Sequence, residues 1–242
     1  MRGNVPFRPI VAQRLYQQVA EQVAALIADG SFAPGTRLPP ERDLSQQLGV
    51  SRPTIREAMI ALEIAGLIDV RSGSGIYVTA PAAAGGRIGD AGPSLFDILA
   101  ARRAIEGEVA AQAATLATDD MLAALPGLIA AQEVAMARGQ ITGRTGGHAE
   151  DRAFHLAIAA MAGNDVLAGF VATLWDTMFT PVYARLAEKT EGPRKVRSTI
   201  ADHRAILDAL RHQDADAARA AMRDHIGHTE ALFLDEPEPP SP

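Results

Sequence analysis

Residues 80–94 read APAAAGGRIGDAGPS, a run of Ala, Gly and Pro in which no apolar residue recurs at a helical or strand period. A stretch of this kind cannot sit inside a packed core, so it separates the 242-residue chain into two units that each need a core of their own. The expected divisions are a first unit over 1–79, a linker over 80–94, a second unit over 95–234 and a tail, DEPEPPSP, over 235–242. That tail is acidic and Pro-rich, the composition of a disordered segment.

The division changes how the charge is read. The chain as a whole carries a formal charge of −6, which argues against a nucleic-acid partner if the charge is spread evenly. It is not. Residues 1–80 hold eight arginines, no lysine and seven carboxylates, a net +1, whereas the remainder carries −7 and all six histidines. There is no cysteine, which excludes disulfides and thiolate-bound zinc or iron–sulfur centres. The most apolar stretch, 153–175, is interrupted by His155, Asn164 and Asp165, and the N-terminus has no apolar leader, so a soluble, cytoplasmic protein is expected.

In the first unit Leu15, Val19, Val23, Leu26 and Ile27 recur at helical spacing, with Gly30 as a stop. Pro39-Pro40 opens a short helix over 41–48 that Gly49 ends. Ser51 is a good N-cap for a helix over about 52–66. LIDV (67–70), a turn over 71–75 and IYVT (76–79) make a Gly-tipped hairpin. This order suits a winged helix-turn-helix, although a generic small α+β domain fits the same pattern. The arginines favour the first reading. Arg37 and Arg42 flank the short helix, while Arg52 and Arg56 share one face at the start of the next, the end of a recognition helix that enters the major groove.

The run PGTRLPPERDLSQQLGVSRPTIREAMIALEIAGLIDVRSGSGIYV (34–78) resembles the DNA-binding domain of GntR-superfamily transcription regulators over its whole length. Pro40 departs from the usual Ser and removes a capping hydroxyl. The resemblance implies that Arg42, Ser51, Arg52, Thr54 and Arg56 face DNA, with Gly73 at the wing tip and Arg52 the foremost base reader.

Six helical segments are expected after the linker: 94–117, 119–138, 147–162, 164–188, 194–213 and 214–233. They predict an antiparallel all-α bundle, so the fold class is mainly α: an N-terminal winged helix-turn-helix and a C-terminal bundle. Asp151 and His155 lie four apart, and His203 and His225 fall near the middles of the last two segments. One Asp and three His suit Zn, Ni, Mn or Fe, but a helix-surface pair and two packing histidines account equally for the spacing. His148, His212 and His228 read as solvated or packing residues.

The segments R-x-x-I-E (102–106), DRAFH (151–155), DHRAILDAL (202–210) and AARAAMRDHI (217–226) resemble the FCD effector-binding domain of the FadR subfamily. Six helices point to its shorter, VanR-like branch. The resemblance implies a divalent metal held by Asp151, His155, His203 and His225, and places Arg102 at an effector pocket. A cation with open positions beside an arginine suits a small organic acid. The expectation is a metabolite-responsive regulator, a repressor more than an activator, that binds a palindromic DNA operator as a homodimer. The competing expectation is a metal-dependent enzyme acting on a small organic acid, against which stand the lack of H-E-x-x-H and of G-x-S-x-G.

Overall fold

A computed structural model describes residues 14–71, 73–79, 92–137, 148–190 and 193–235. The linker expected over 80–94, apart from its last three residues, and the tail beyond Asp235 lie outside the described residues.

The first helix, α1, spans Leu15–Ala28 and buries Tyr16, Val19, Ala20 and Val23. Helix α2 (Glu41–Leu48) starts after Pro40, which provides no side-chain cap, and ends at Gly49 in the left-handed conformation, φ +67°. Helix α3 (Arg52–Ile64) is capped by Ser51, whose hydroxyl accepts from the Thr54 N–H, and has Pro53 in its first turn. Strands β1 (Ile68–Arg71) and β2 (Gly75–Val78) pair antiparallel, Ile68 opposite Val78, and Arg37 adds an isolated bridge to Tyr77. Gly75 is required where it stands. Its φ is +121°, and a Cβ there would lie 2.5 Å from the Arg37 Nε. Tyr16, Val19, Ile55, Met59, Leu62, Ile68 and Val78 form one apolar cluster in this unit.

The second apolar cluster belongs to the bundle. Its axis is α4 (Leu95–Leu116), which packs most extensively against α11 (Ala215–Leu234) and also touches α7 (His148–Met161), α8 (Asp165–Met178) and α10 (Pro193–Arg211). Small residues let α4 and α11 approach closely: Ala110, Ala113 and Ala114 are buried, and a Cβ on Gly107 would stand 2.8 Å from Arg223 Cγ. Helices α5 (Asp119–Leu122), α6 (Leu125–Ala137) and α9 (Pro181–Lys189) complete it.

Eight helices therefore follow the linker among the described residues, not six. The segment expected over 119–138 breaks ahead of Pro126, and that over 164–188 breaks at Thr180-Pro181. Proline has no N–H to continue a preceding helix but fits a first turn, and Thr180 Oγ1 accepts the Tyr183 N–H to restart the chain as α9. With the count corrected, the ground for assigning the shorter, VanR-like branch is gone.

Helix α3 also faces the bundle. Ile60 packs into the bundle's apolar cluster. Glu57, 2 % exposed, accepts from Ser94 Oγ at 2.8 Å and from the Leu95 N–H at 2.5 Å, so it caps α4 from another unit. Burial pushes its carboxyl up to about 7, against the opposing pull of those bonds and the Phe96 N–H. Further along α3, Glu63 takes Arg185 at 3.1 Å and Lys189 at 2.7 Å, both on α9.

Candidate metal centre and nucleic-acid interface

Helix α7 projects Asp151 and His155 from one face, four residues apart, towards His203 of α10 and His225 of α11. One ligating atom from each of the four lies within 4.8 Å of the others. Asp151 Oδ1 is 3.2 Å from His203 Nε2 and 3.7 Å from His155 Nε2. The His225 Nε2 stands 3.3 Å from both His155 Nε2 and His203 Nε2. All three rings thus turn the same nitrogen inward. Phe154 stacks on His203 at 4.2 Å, and Trp175 lies 5.0 Å from His155.

The surroundings put Asp151, His155 and His225 in ligand-ready states. Burial depresses His155 and His225, the latter to about 4 with the help of the neighbouring His203, so both are neutral at neutral pH. Burial alone would raise Asp151, but the imidazoles of His203, His155 and His225 around it hold its carboxyl well below the usual range. A carboxylate and neutral imidazoles are the forms that bind divalent cations. Among the described residues the buried Asp151 Oδ1 has no hydrogen-bond partner, and a cation among the four ligands would satisfy it. The donor set fits a metal.

Beside the cluster is a cavity of about 30 Å³, lined by Gln132, His148, Tyr183, Lys195 and Thr199 as well as Asp151 and His225. That is room for about one water molecule. His148 is no solvated residue: it is buried, takes part in a 2.7 Å hydrogen bond with Tyr183 Oη, and is pushed down to about 4 by burial. His212 and His228 are exposed, as expected, with His228 3.0 Å from Asp202. No motif marks Gln132, Lys195 or Thr199 in the sequence; only the folding of α6 against α7 and α10 brings them here.

Arg102 lies outside the cavity's lining. Its Nε donates to Glu106 Oε1 at 2.5 Å, Nη1 stands 3.3 Å from Met178 Sδ, and the guanidinium sits 3.9 Å above the Trp175 ring. The other Glu106 oxygen meets His155 Nδ1. Burial would raise Glu106, but the Arg102 guanidinium and the bonds from Arg102 and His155 outweigh it and bring it down to about 2.

In the first unit Arg42, Arg52, Arg56 and Gly73 surround one cleft of about 230 Å³, whose far wall is formed by Leu186 and Lys189 of α9 with Phe233 and Asp235 at the end of α11. Arg42, Arg52 and Gly73 are exposed. The Ser51 and Thr54 hydroxyls are 2.8 Å apart at the cap of α3. Arg56 differs. Its side chain is 11 % exposed, its Nε pairs with Glu41 at 2.7 Å, and its terminal nitrogens donate to the Phe233, Leu234 and Asp235 carbonyls at 3.3 Å each. It closes the carbonyl end of α11, where a cation opposes the helix dipole.

A winged arginine-faced reader joined to a helical bundle with a polar buried centre defines a DNA-binding transcription regulator. Residues 15–78 match the bacterial regulatory proteins of the gntR family, and 97–228 match the FCD domain; the chain belongs to this family. It is 34 % identical over 232 residues to the Uxu operon transcriptional regulator of Escherichia coli K12, covering 93 % of this chain and 88 % of that protein. It is 35 % identical over 230 residues to the Exu regulon transcriptional regulator of the same organism, covering 93 % and 86 %. The structure of E. coli McbR/YncC has the same fold, with a TM-score of 0.51 at 24 % identity over 92 % of this chain and 98 % of that one. The family and these relatives are regulators, so the reading as a metal-dependent enzyme is set aside. No described helix is long and apolar enough to cross a membrane.

Proposed function

We propose that this protein is a cytoplasmic, metabolite-responsive regulator, a repressor released by its effector, that binds a palindromic operator as a homodimer. The observation that carries the sensing half is the convergence of Asp151, His155, His203 and His225 on one buried point. These residues hold a divalent cation, Zn, Ni, Mn or Fe, whose remaining positions take the carboxylate of a small organic acid. Four protein ligands leave such a cation open to water and to an anionic ligand. Lys195 in the adjoining cavity adds positive charge for the same anion. The cavity must widen to admit it. Arg102 joins the effector only by leaving Glu106.

The reading half rests on Arg42, Ser51, Arg52, Thr54 and Gly73, which lie on the exposed rim of the cleft or at the cap of α3. Arg52 reads bases and the wing tip enters the minor groove. Arg56 reaches phosphate by releasing α11. Since α11 carries His225 at its middle and the carbonyls held by Arg56 at its end, it offers a direct route from the cation to the recognition helix. A dimer is supported by α8, where Val166 and Phe170 are 67 % and 55 % exposed on one face. The Thr173 and Thr177 hydroxyls on that face turn back to backbone carbonyls at 2.8 and 2.7 Å and leave it apolar.

A thermal-shift screen of organic acids, with and without EDTA, tests metal and effector together, because a ligand specific for the folded state raises its stability. The expected result is an acid that stabilises only in the absence of EDTA and weakens binding to an operator selected from random DNA. A chain that takes up no divalent cation overturns the metal reading, and operator affinity indifferent to every stabilising acid overturns the sensing role.

A further inference from the structure

The Arg102–Glu106 pair is an anomaly in an apolar core. Arg102 is 3 % exposed and Glu106 2 %. Burying two charges is expensive, and an apolar pair of similar volume commonly serves stability as well or better. Stability alone therefore gives no reason for these residues. Their geometry does. Glu106 and Arg102 lie four apart on α4, so one turn of helix stacks the guanidinium on one carboxylate oxygen at 2.5 Å. The second oxygen meets His155 Nδ1 and also accepts from Arg102 Nη2 at 3.4 Å.

We propose that Glu106, itself held in place by Arg102, is the positioning residue of His155. Its carboxylate accepts the Nδ1 proton, which fixes the ring's tautomer and rotation and directs the Nε2 lone pair at Asp151, His203 and His225. An outer carboxylate of this kind also makes the imidazole a better donor to a cation. Among the described residues the other two histidines have no equivalent: His203 Nδ1 is buried with no hydrogen-bond partner, and His225 Nδ1 is 3.5 Å from the Asp202 carboxylate without forming a hydrogen bond. Trp175 covers the back of the guanidinium at 3.9 Å, and this ring, together with the bond to Glu106, keeps Arg102 from swinging away. In this arrangement Arg102 belongs to the scaffold of the cluster and serves the effector indirectly. The inference rests on the metal reading proposed above.

The test uses the full chain, with Zn2+ as the probe, in wild type, Glu106→Gln and the double variant Arg102→Met/Glu106→Gln. The double variant removes the guanidinium that the single one strands, so a folding defect in one leaves the other to decide. Long-range 1H–15N spectra of the imidazoles in metal-free protein give a readout that a purely structural role leaves unmoved. Wild-type His155 is expected as the Nδ1–H tautomer, and the double variant is expected to lose that preference. Zn2+ affinity, measured against a competing chelator, is expected to fall roughly 10–100-fold in both variants, the range for loss of an outer-sphere partner. A wild-type His155 protonated on Nε2, or a folded variant that keeps wild-type Zn2+ affinity, overturns the assignment while leaving the metal site standing. A wild type that takes up no Zn2+, Ni2+ or Mn2+ overturns the metal reading itself, and the role of Glu106 with it.

Discussion

The arginine face of the first unit and the centre of the bundle treat polar side chains in opposite ways. The reader keeps Arg42 and Arg52 in solvent and surrounds a small apolar cluster with them. The bundle takes Arg102, Glu106, His148, His155, His203 and His225 out of solvent altogether. Exposed arginines cost little to maintain and are ready to exchange water for phosphate or base edges. Buried ionisable groups are tolerated only when each finds a partner, so every one of them constrains its neighbours. The exposed arginine face is thus left loose, and the buried polar centre of the bundle is built tight.

This contrast can be broken at its tight end first. His203→Ala is expected to weaken divalent-metal affinity by at least about a hundredfold, since it removes one of the four protein ligands that hold the cation. Metal content by elemental analysis checks it, and a fully loaded variant would remove the bundle's claim to a site.

The next effect lies at the seam between the units. The carboxyl of Glu57 is raised from 4.5 to about 7, so across that window the folded chain holds a proton that the unfolded chain has lost. The stability contributed by Glu57 therefore falls as pH rises through the window, by on the order of 3 kcal/mol at most. Glu57→Gln keeps an acceptor for the Leu95 N–H, places an amide N–H that Ser94 Oγ can accept where the second oxygen stood, and should flatten that part of the profile. Denaturant midpoints for both proteins at either end of the window give the comparison, and parallel slopes would show that Glu57 does not titrate there.

At the loose end, Arg52→Ala should lower operator affinity by about 1–3 kcal/mol and relax preference at one base step. Equal losses on operator and random DNA would make Arg52 a phosphate contact instead. The smallest effect is expected at Arg185→Ala. Its pair with Glu63 spans 3.1 Å with the arginine 41 % exposed, and Lys189 still holds Glu63 at 2.7 Å. A loss below about 1 kcal/mol, fading with salt, is the expected denaturation result. A larger one would mean that the seam is as tightly built as the bundle's centre.

The elements of the reader were legible because Gly49, Ser51, Pro53 and the hairpin glycines act locally: each fixes a cap or a turn within a few residues. Period and breakers also located most bundle helices. Pro126 and Pro181 were just as visible, but their local veto was outweighed by the apolar period running across them. Asp151 and His155 were legible as a pair because a helix repeats every 3.6 residues. Their meeting with His203 and His225 depends on helix packing, and only the family resemblance suggested it beforehand. Nothing local distinguishes Arg56, bound to the end of α11, from Arg52, exposed one turn earlier on the same helix. The same holds for Glu106, which looks like any helical glutamate until α7 is laid against α4. Partners remote in sequence are set by tertiary packing, and the chain's local signals do not encode them.

The position of Trp175 has a practical consequence. It is the one tryptophan in the chain, and its ring lies 5.0 Å from His155 and directly beneath Arg102. The reader contains none, so ultraviolet emission excited at the indole band comes from the bundle's centre alone. The molecule is in effect pre-labelled. Events at the cluster report themselves optically without a dye or a tag, while the arginine-faced unit stays dark.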